Sequence, residues 1–214
     1  MGAPSVKERV IKDDACIAEG AAWLCAQEPR FAYVMTDLPR LPLRLKPDGF
    51  AELLSAIVSQ QVSVASANAI WGRLVQAGMT EPQAVSAASE DDLKALGLSR
   101  QKVRYAQALA AAEIDFDALR QMPAVDVITT LTAVPGIGVW TAEIYAMFSL
   151  GRADVFAPGD LALQEAARLI FELPERPKDR ALREMAVAWS PWRSVAARIM
   201  WAYYKQNKQR EGIR

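Results

Sequence analysis

The sequence predicts an all-α fold, and three observations carry that expectation. Ala, Leu and Arg are the commonest residues, and these side chains, like those of Glu and Gln, lose little freedom in a helix. Apolar residues recur three and four positions apart, while the β-branched alternation of strands is scarce. Capping residues followed by acids open several of the apolar stretches, and Pro or Gly closes them. The chain has 214 residues, 52% of them hydrophobic, which suits one sizeable core or two small lobes sharing a cleft and excludes a disordered chain.

The elements follow in order. Residues 1–9 read as loose. From Val10 to about Cys25, a helical stripe is formed by Ile11, Ala15, Ala18, Ala22 and Trp23, and a second short helix is expected over Pro29–Met35. Leu38 to Gly49 contains Pro39, Pro42 and Pro47 without helical periodicity, so it is read as the connector from one lobe to the next. Phe50 to about Gly78 is one helix or two abutting ones, with Leu53, Leu54, Ile57, Val58, Ile70 and Leu74 inside and Gln60-Gln61-Val62-Ser63 as an interruption. Thr80-Glu81-Pro82 and Ser89-Glu90-Asp91-Asp92 are helix starts. Ser99-Arg100-Gln101-Lys102 opens the helix Val103–Ala112, and Phe116, Leu119 and Met122-Pro123 close this pair. Helices over Ala124–Ala133 and Val139–Leu150 flank a tight turn, a further helix runs from Asp160 to Phe171, and 174–179 is a Pro-rich loop. The last helix or helix pair covers Arg180–Gln209, and its tail carries a small basic surplus of Lys205, Lys208, Arg210 and Arg214 against Glu211.

Composition excludes several functions. There is no histidine, which removes His-based catalysis and most zinc sites. Two cysteines cannot supply the four thiolates of an iron–sulfur cluster, and Cys16 and Cys25 would lie on opposite faces of one helix, against a local disulfide. No signal peptide opens the chain and no apolar run is long enough to span a bilayer, so a cytoplasmic or nuclear location is expected. Twenty-five basic and 25 acidic side chains balance to zero, unlike a generally basic nucleic-acid binder. A nucleic-acid partner would therefore be held by a local patch and by backbone donors.

The turn Val134-Pro135-Gly136-Ile137-Gly138 has the chemistry for such a contact. Pro135 and Gly136 stop the first helix, and Gly138 is expected to allow a second reversal. A helix that starts so abruptly leaves N–H groups unpaired at its N-terminus, where the helix dipole also suits a phosphate. Asp160, read alone, is an ordinary N-cap aspartate.

Together these pieces resemble a known family. Leu131 to Ala142, in the order L-x-x-V-P-G-I-G-x-x-T-A, resembles the helix-hairpin-helix of DNA repair glycosylases, and Val155-Phe156-Ala157-Pro158-Gly159-Asp160 resembles the segment carrying their catalytic aspartate. Ser55 to Ser63, ending in Trp71-Gly72-Arg73-Leu74, resembles their wedge loop, Gly97-Leu98-Ser99-x-x-Lys102 also fits, and Pro191-Trp192-Arg193-Ser194-x-Ala196-Ala197 resembles the C-terminal helix of the DNA-3-methyladenine glycosylase II (AlkA) type. The resemblance spans about residues 48–204. It implies two helical lobes with a cleft between them, one over 48–150 with the hairpin at 124–150, and the other built from 1–47 and 151–214.

It also implies roles. Asp160 would stabilise an oxocarbenium ion, and Gln61 would wedge into the duplex after the damaged nucleotide flips out. Gly136, Ile137, Gly138 and Thr141 of the hairpin, with Arg100 and Lys102, would contact DNA; the bland alternative for Arg100 and Lys102 is a solvated surface pair. The carbonyls of Thr132, Val134 and Ile137 would hold a structural monovalent cation, Na or K, with no cofactor needed for catalysis. Trp140 and Trp201 would offer aromatic faces to a cationic purine, their alternative being core packing, and Ile144 stands in the pocket where a relative has an aromatic.

Three departures shape the reading. Trp140 stands where bifunctional relatives carry a Schiff-base lysine, so a monofunctional hydrolase is expected. Gly159 replaces a second aspartate, and too few residues precede Phe50 to build the N-terminal sheet domain of larger relatives. The expected substrate is an alkylated purine such as 3-methyladenine or 7-methylguanine in double-stranded DNA, with ethenoadenine and hypoxanthine as alternatives and a monomer as the acting form. The rival from another class is a non-enzymatic helix-hairpin-helix DNA-binding module, which needs the turn but neither Asp160 nor the aromatics.

Overall fold

A computed structural model describes residues 8–210. Among them are thirteen α-helices and one 3₁₀ turn: α1 Asp14–Gln27, α2 Pro29–Met35, α3 Phe50–Ser59, α4 Val64–Gln76, α5 Pro82–Ala87, α6 Glu90–Ala95, α7 Arg100–Ala111, α8 Phe116–Gln121, α9 Ala124–Thr132, α10 Val139–Phe148, α11 Leu161–Ile170, α12 Asp179–Met185, the 3₁₀ turn Ala186–Trp189, and α13 Arg193–Arg210. No strand is present among the described residues; the only extended pairing is an isolated bridge between Val10 and Arg152. No helix among the described residues is long and apolar enough to cross a membrane. The chain divides into two compact units, one from the described residues up to Leu45 together with those from Ala146 onward, the other from Lys46–Tyr145.

In the Lys46–Tyr145 unit, α7 is the central helix: α3, α5 and α6 pack on it, and α4 packs on α3. Leu53, Leu54, Ile57 and Val58 of α3 and Val103, Ala106 and Leu109 of α7 are buried. At about 2 kcal/mol for each buried Leu or Ile, this burial outweighs differences in helix propensity of a few tenths per residue. The helix starts are built locally. Ser89 and Asp92 form a reciprocal capping box on α6, and Ser99 Oγ accepts from the Lys102 N–H to open α7.

In the other unit, α11 and α13 make the main helix contact, with α1 and α2 packed on α13. Trp192 is fully buried. Gly20 on α1 leaves room for it, since a Cβ there would lie 2.7 Å from the indole. Helix α1 begins at Asp14, capped by Asp13 Oδ1 to the Cys16 N–H, and not at Val10 as the apolar stripe suggested. Arg9 is tied down and not loose: its carbonyl accepts the Ala153 N–H at 3.0 Å and its guanidinium pairs with Glu19 at 2.7 Å. Glu8, also within the expected loose start, pairs with Arg152 at 3.6 Å; residues 1–7 lie outside the described residues, as do Glu211 and Arg214 of the basic tail. The expected final helix over 180–209 is three pieces; Pro191, which lacks an N–H, stands in the break before α13. Cys16 and Cys25 are free thiols.

Candidate functional site

The turn between α9 and α10 is held from inside. Val134 donates to the Leu131 carbonyl and Ile137 to the Val134 carbonyl, each at 3.1 Å, and the Val134 and Ile137 side chains are buried beneath it. Gly136 has φ +94°, and a Cβ there would run into the Tyr105 ring of α7. Only glycine fits, for both reasons. Gly138 corrects the expectation of a second reversal: its φ is not in the left-handed region, and a Cβ there would meet nothing within 4 Å. The protein's own packing gives no reason for glycine at 138. Gly138 and Val139 are exposed, and among the described residues neither the Gly136 nor the Gly138 N–H donates a hydrogen bond. The turn therefore presents backbone donors beside an uncovered glycine at the start of a ten-residue helix.

The α3–α4 junction lies in the same unit. Gln60 caps α3 in an extended conformation, Gln61 takes φ +56°, and Ser63 caps α4 through Ser66. Gln61 is exposed, with Val62 and Val64 exposed beside it. Gln60 Nε2 donates to the Gly136 carbonyl at 2.9 Å, which ties this junction to the turn. Lys102 corrects the surface-pair reading. It is only 9% exposed, and its ammonium donates to the Val58 carbonyl at 2.6 Å, at the C-terminal end of α3 where a cation complements the helix dipole. Burial holds its pKa below the ordinary lysine value. Arg100 is exposed and meets Glu90 at 3.3 Å.

The segment leading to Asp160 belongs to the other unit and is anchored through the Pro191–Ser194 stretch. Arg193 grips Asp154 with two bonds of 2.6 and 2.9 Å, Ser190 Oγ donates to Asp154 at 2.8 Å, and the Ser194 N–H donates to the Ala153 carbonyl at 2.8 Å. Buried Gln164 donates to the Pro158 carbonyl at 2.8 Å and so fixes the turn just before the aspartate. Asp160 is the N-cap of α11. Its Oδ1 accepts from the Ala162 and Leu163 N–H groups at 2.9 and 3.1 Å and from Trp201 Nε1 at 3.2 Å. Trp201 rests against Phe148, ring centroids 5.7 Å apart, and Arg198 lies over the other ring at 4.7 Å. Arg198 is buried, which brings its pKa down to about 10. Leu161, the first residue of α11, is 62% exposed, an uncovered apolar side chain next to a fixed carboxylate.

Residues 54–191 match the HhH-GPD superfamily of base excision DNA repair proteins. The chain belongs to this superfamily. Among solved structures it is similar to a DNA-3-methyladenine glycosidase of Bacillus halodurans, with a TM-score of 0.81 and 32% identity over 94% of each chain. A 3-methyladenine DNA glycosylase of Schizosaccharomyces pombe in complex with abasic DNA shares the fold at 24% identity and a TM-score of 0.73, covering 89% of this chain and 97% of that one. Among curated proteins, DNA-3-methyladenine glycosylase 2 of Escherichia coli is 31% identical over 169 residues, 72% of this chain and 57% of that protein. The chain spans from 34% to 78% of the length of the curated relatives it matches.

The candidate residues divide between the two units. Gln61, Arg100, Lys102, Thr132, Val134, Gly136, Ile137, Gly138, Trp140, Thr141 and Ile144 lie in Lys46–Tyr145, and Asp160 and Trp201 in the other unit. Trp140 is 47% exposed and so is not core packing. Ile144 and Trp201 are half-buried. Thr141 and Ile137 are both buried. The Thr132 hydroxyl is spent on the Ile128 carbonyl at 2.8 Å. Three residues escaped the sequence reading: Gln60, Asp154 and Arg198. Gln60 and Arg193 lie within the motifs quoted above, yet nothing local marks their partners, which are 76 and 39 residues away.

Proposed function

We propose that this HhH-GPD chain is a monofunctional DNA glycosylase that flips an alkylated purine of the 3-methyladenine or 7-methylguanine kind out of double-stranded DNA and hydrolyses its N-glycosidic bond. The observation that carries the reading is the Asp160 carboxylate held by two helix N–H groups and one indole. A plain N-cap needs only the first two; the third points to a carboxylate whose orientation matters. A DNA-binding module that used the hairpin alone would have no use for it.

The chemistry needs little else. N3- or N7-alkylation gives the purine a positive charge, so it departs as a neutral base and takes the bonding pair of the C1′–N bond. C1′ becomes an oxocarbenium centre, which the Asp160 carboxylate stabilises from a fixed position. Water adds at C1′ and gives up its proton to the surrounding solvent, leaving an abasic deoxyribose. In the unit that holds Asp160, Trp201 supplies an electron-rich face for a cationic purine; in the Lys46–Tyr145 unit, exposed Trp140 offers an aromatic face and Ile144 an apolar one. No amine acts as nucleophile, because Trp140 stands at the lysine position of lyases.

Binding is read as sequence-independent. The Gly136 and Gly138 N–H groups meet a phosphate, and the missing Cβ at Gly138 lets the phosphate approach; Arg100 adds a surface cation. Gln61 fills the gap left by the flipped nucleotide. Thr132, Val134 and Ile137 offer neutral carbonyl oxygens that fit a hard monovalent cation. One lone pair of the Val134 carbonyl is already taken by the Ile137 N–H, and one remains. The S. pombe relative bound to abasic DNA supports the choice of partner.

A base-release assay on duplexes carrying 3-methyladenine, 7-methylguanine, ethenoadenine or hypoxanthine, with strand nicking scored separately, tests the reading. The expected result is release of an alkylated purine without nicking and without an adduct trapped by borohydride. A trapped adduct would make the chain a lyase, and no release from any duplex would leave the DNA-binding module.

A further inference from the structure

Gln61 is a non-glycine residue at φ +56°, a conformation that costs about 1–3 kcal/mol and persists only where the surroundings impose it. The side chain gives no return for that strain: it is exposed, and among the described residues it makes no hydrogen bond. On its N-terminal side the chain is held at two points. The last turn of α3 is held through the Val58 carbonyl by the buried Lys102 ammonium, and the Gln60 amide donates to the Gly136 carbonyl. Gly136 in turn packs on Tyr105, whose hydroxyl accepts from Gln101 at 2.6 Å.

We propose that Gln60 is a positioning residue that locks the Gln61 loop onto the hairpin, so that seating a phosphate on the turn also sets Gln61 at the height from which it enters the duplex. This rests on the reading of Gln61 as the wedge and of the turn as the phosphate contact. Its mechanical content is specific: the hairpin carbonyl of Gly136 faces the loop, while the N–H groups of Gly136 and Gly138 are left for DNA. Phosphate binding and base extrusion are therefore coupled through one hydrogen bond. Gln61 stays loaded in its strained conformation before DNA arrives, so the ordering cost is met in the free protein and not at the moment of flipping.

Gln60→Met keeps the length of the side chain and removes the donor; Gln60→Glu places an acceptor against the Gly136 carbonyl. Two readouts separate positioning from mere stability. The first is single-turnover excision of one lesion, in a fully paired duplex and in a one-nucleotide bulge where extrusion costs least. The expected loss is about tenfold in the duplex for Gln60→Met, the worth of one hydrogen bond, more for Gln60→Glu, and less than twofold in the bulge. The second needs no catalysis: 2-aminopurine beside an abasic site reports insertion while anisotropy reports binding. Wild type should bind and change the fluorescence, and Gln60→Met should bind with a smaller change. Equal losses in duplex and bulge, or no loss in either, overturn the proposal, as does an unchanged 2-aminopurine response. A wild type that binds and inserts but releases no base overturns the glycosylase reading and leaves Gln60 standing; one that does not bind DNA overturns both.

Discussion

Trp201 donates its indole N–H to the same Asp160 oxygen that two backbone N–H groups of α11 already hold, at 3.2 Å against 2.9 and 3.1 Å. Three donors on one oxygen stop the carboxylate from rotating about its terminal bond. Forty-one residues separate the two side chains, and the contact exists because α13 packs along α11.

Asp160→Asn keeps an oxygen for the cap and loses the charge. Base release is expected to fall by at least about 100-fold, as for other electrostatic groups aimed at a transition state. Affinity for an abasic-site duplex, followed by anisotropy, should stay near wild type. Excision at a wild-type rate would remove Asp160 from the mechanism.

Trp201→Phe preserves a ring against Phe148 and removes the third donor. A hydrogen bond to a charged group contributes about 1.5–3 kcal/mol, so the single-turnover rate should drop by roughly 10- to 100-fold if the orientation of Asp160 matters to catalysis. The thermal midpoint should move by only a few degrees. A large fall in the midpoint with an unchanged rate would make Trp201 structural only.

The two hairpin glycines should separate stability from binding. Gly136→Ala meets both a positive φ and the Tyr105 ring and should unfold the turn, lowering the midpoint. Gly138→Ala has open space and an ordinary φ, so the midpoint should hold while DNA affinity falls; Gly138→Asp, with a charge facing phosphate, should bind worse still. Wild-type affinity of Gly138→Asp across a range of salt would refute the hairpin as the DNA anchor.

Arg100 and Lys102, neighbours on α7, should behave differently. Arg100→Ala is expected to lower the salt slope of log K by at most about 0.9, one phosphate contact, with no change in stability. Lys102→Ala leaves the Val58 carbonyl without its partner and should cost about 1–3 kcal/mol in urea unfolding, with little change in slope. A clear fall in slope with Lys102→Ala would return this residue to the phosphate contact.

What the sequence determined by itself lies within a turn or two of helix. The all-α class, the capping box at Ser89, the cap at Ser99, the break between α3 and α4, the Gly136 turn and the N-cap position of Asp160 all rest on neighbours a few residues apart, where hydrogen-bond geometry and allowed φ leave few choices. Helix α1 shows the limit of that logic: the apolar stripe ran on to Val10, but Val10 bridges to Arg152, 142 positions away, and Asp13 caps the helix instead. Tertiary structure alone decided what each side chain meets. Lys102 is a surface cation by its place at a helix start, yet packing of α7 on α3 buries it on a carbonyl 44 residues away. Arg193 closes on Asp154, Gln60 on Gly136 and Trp201 on Asp160 for the same reason. Such partners are set by which helix faces are pressed together, and the energy that presses them is apolar burial, which is indifferent to direction. The polar contacts that carry the candidate chemistry are therefore chosen by the packing of residues that take no part in it.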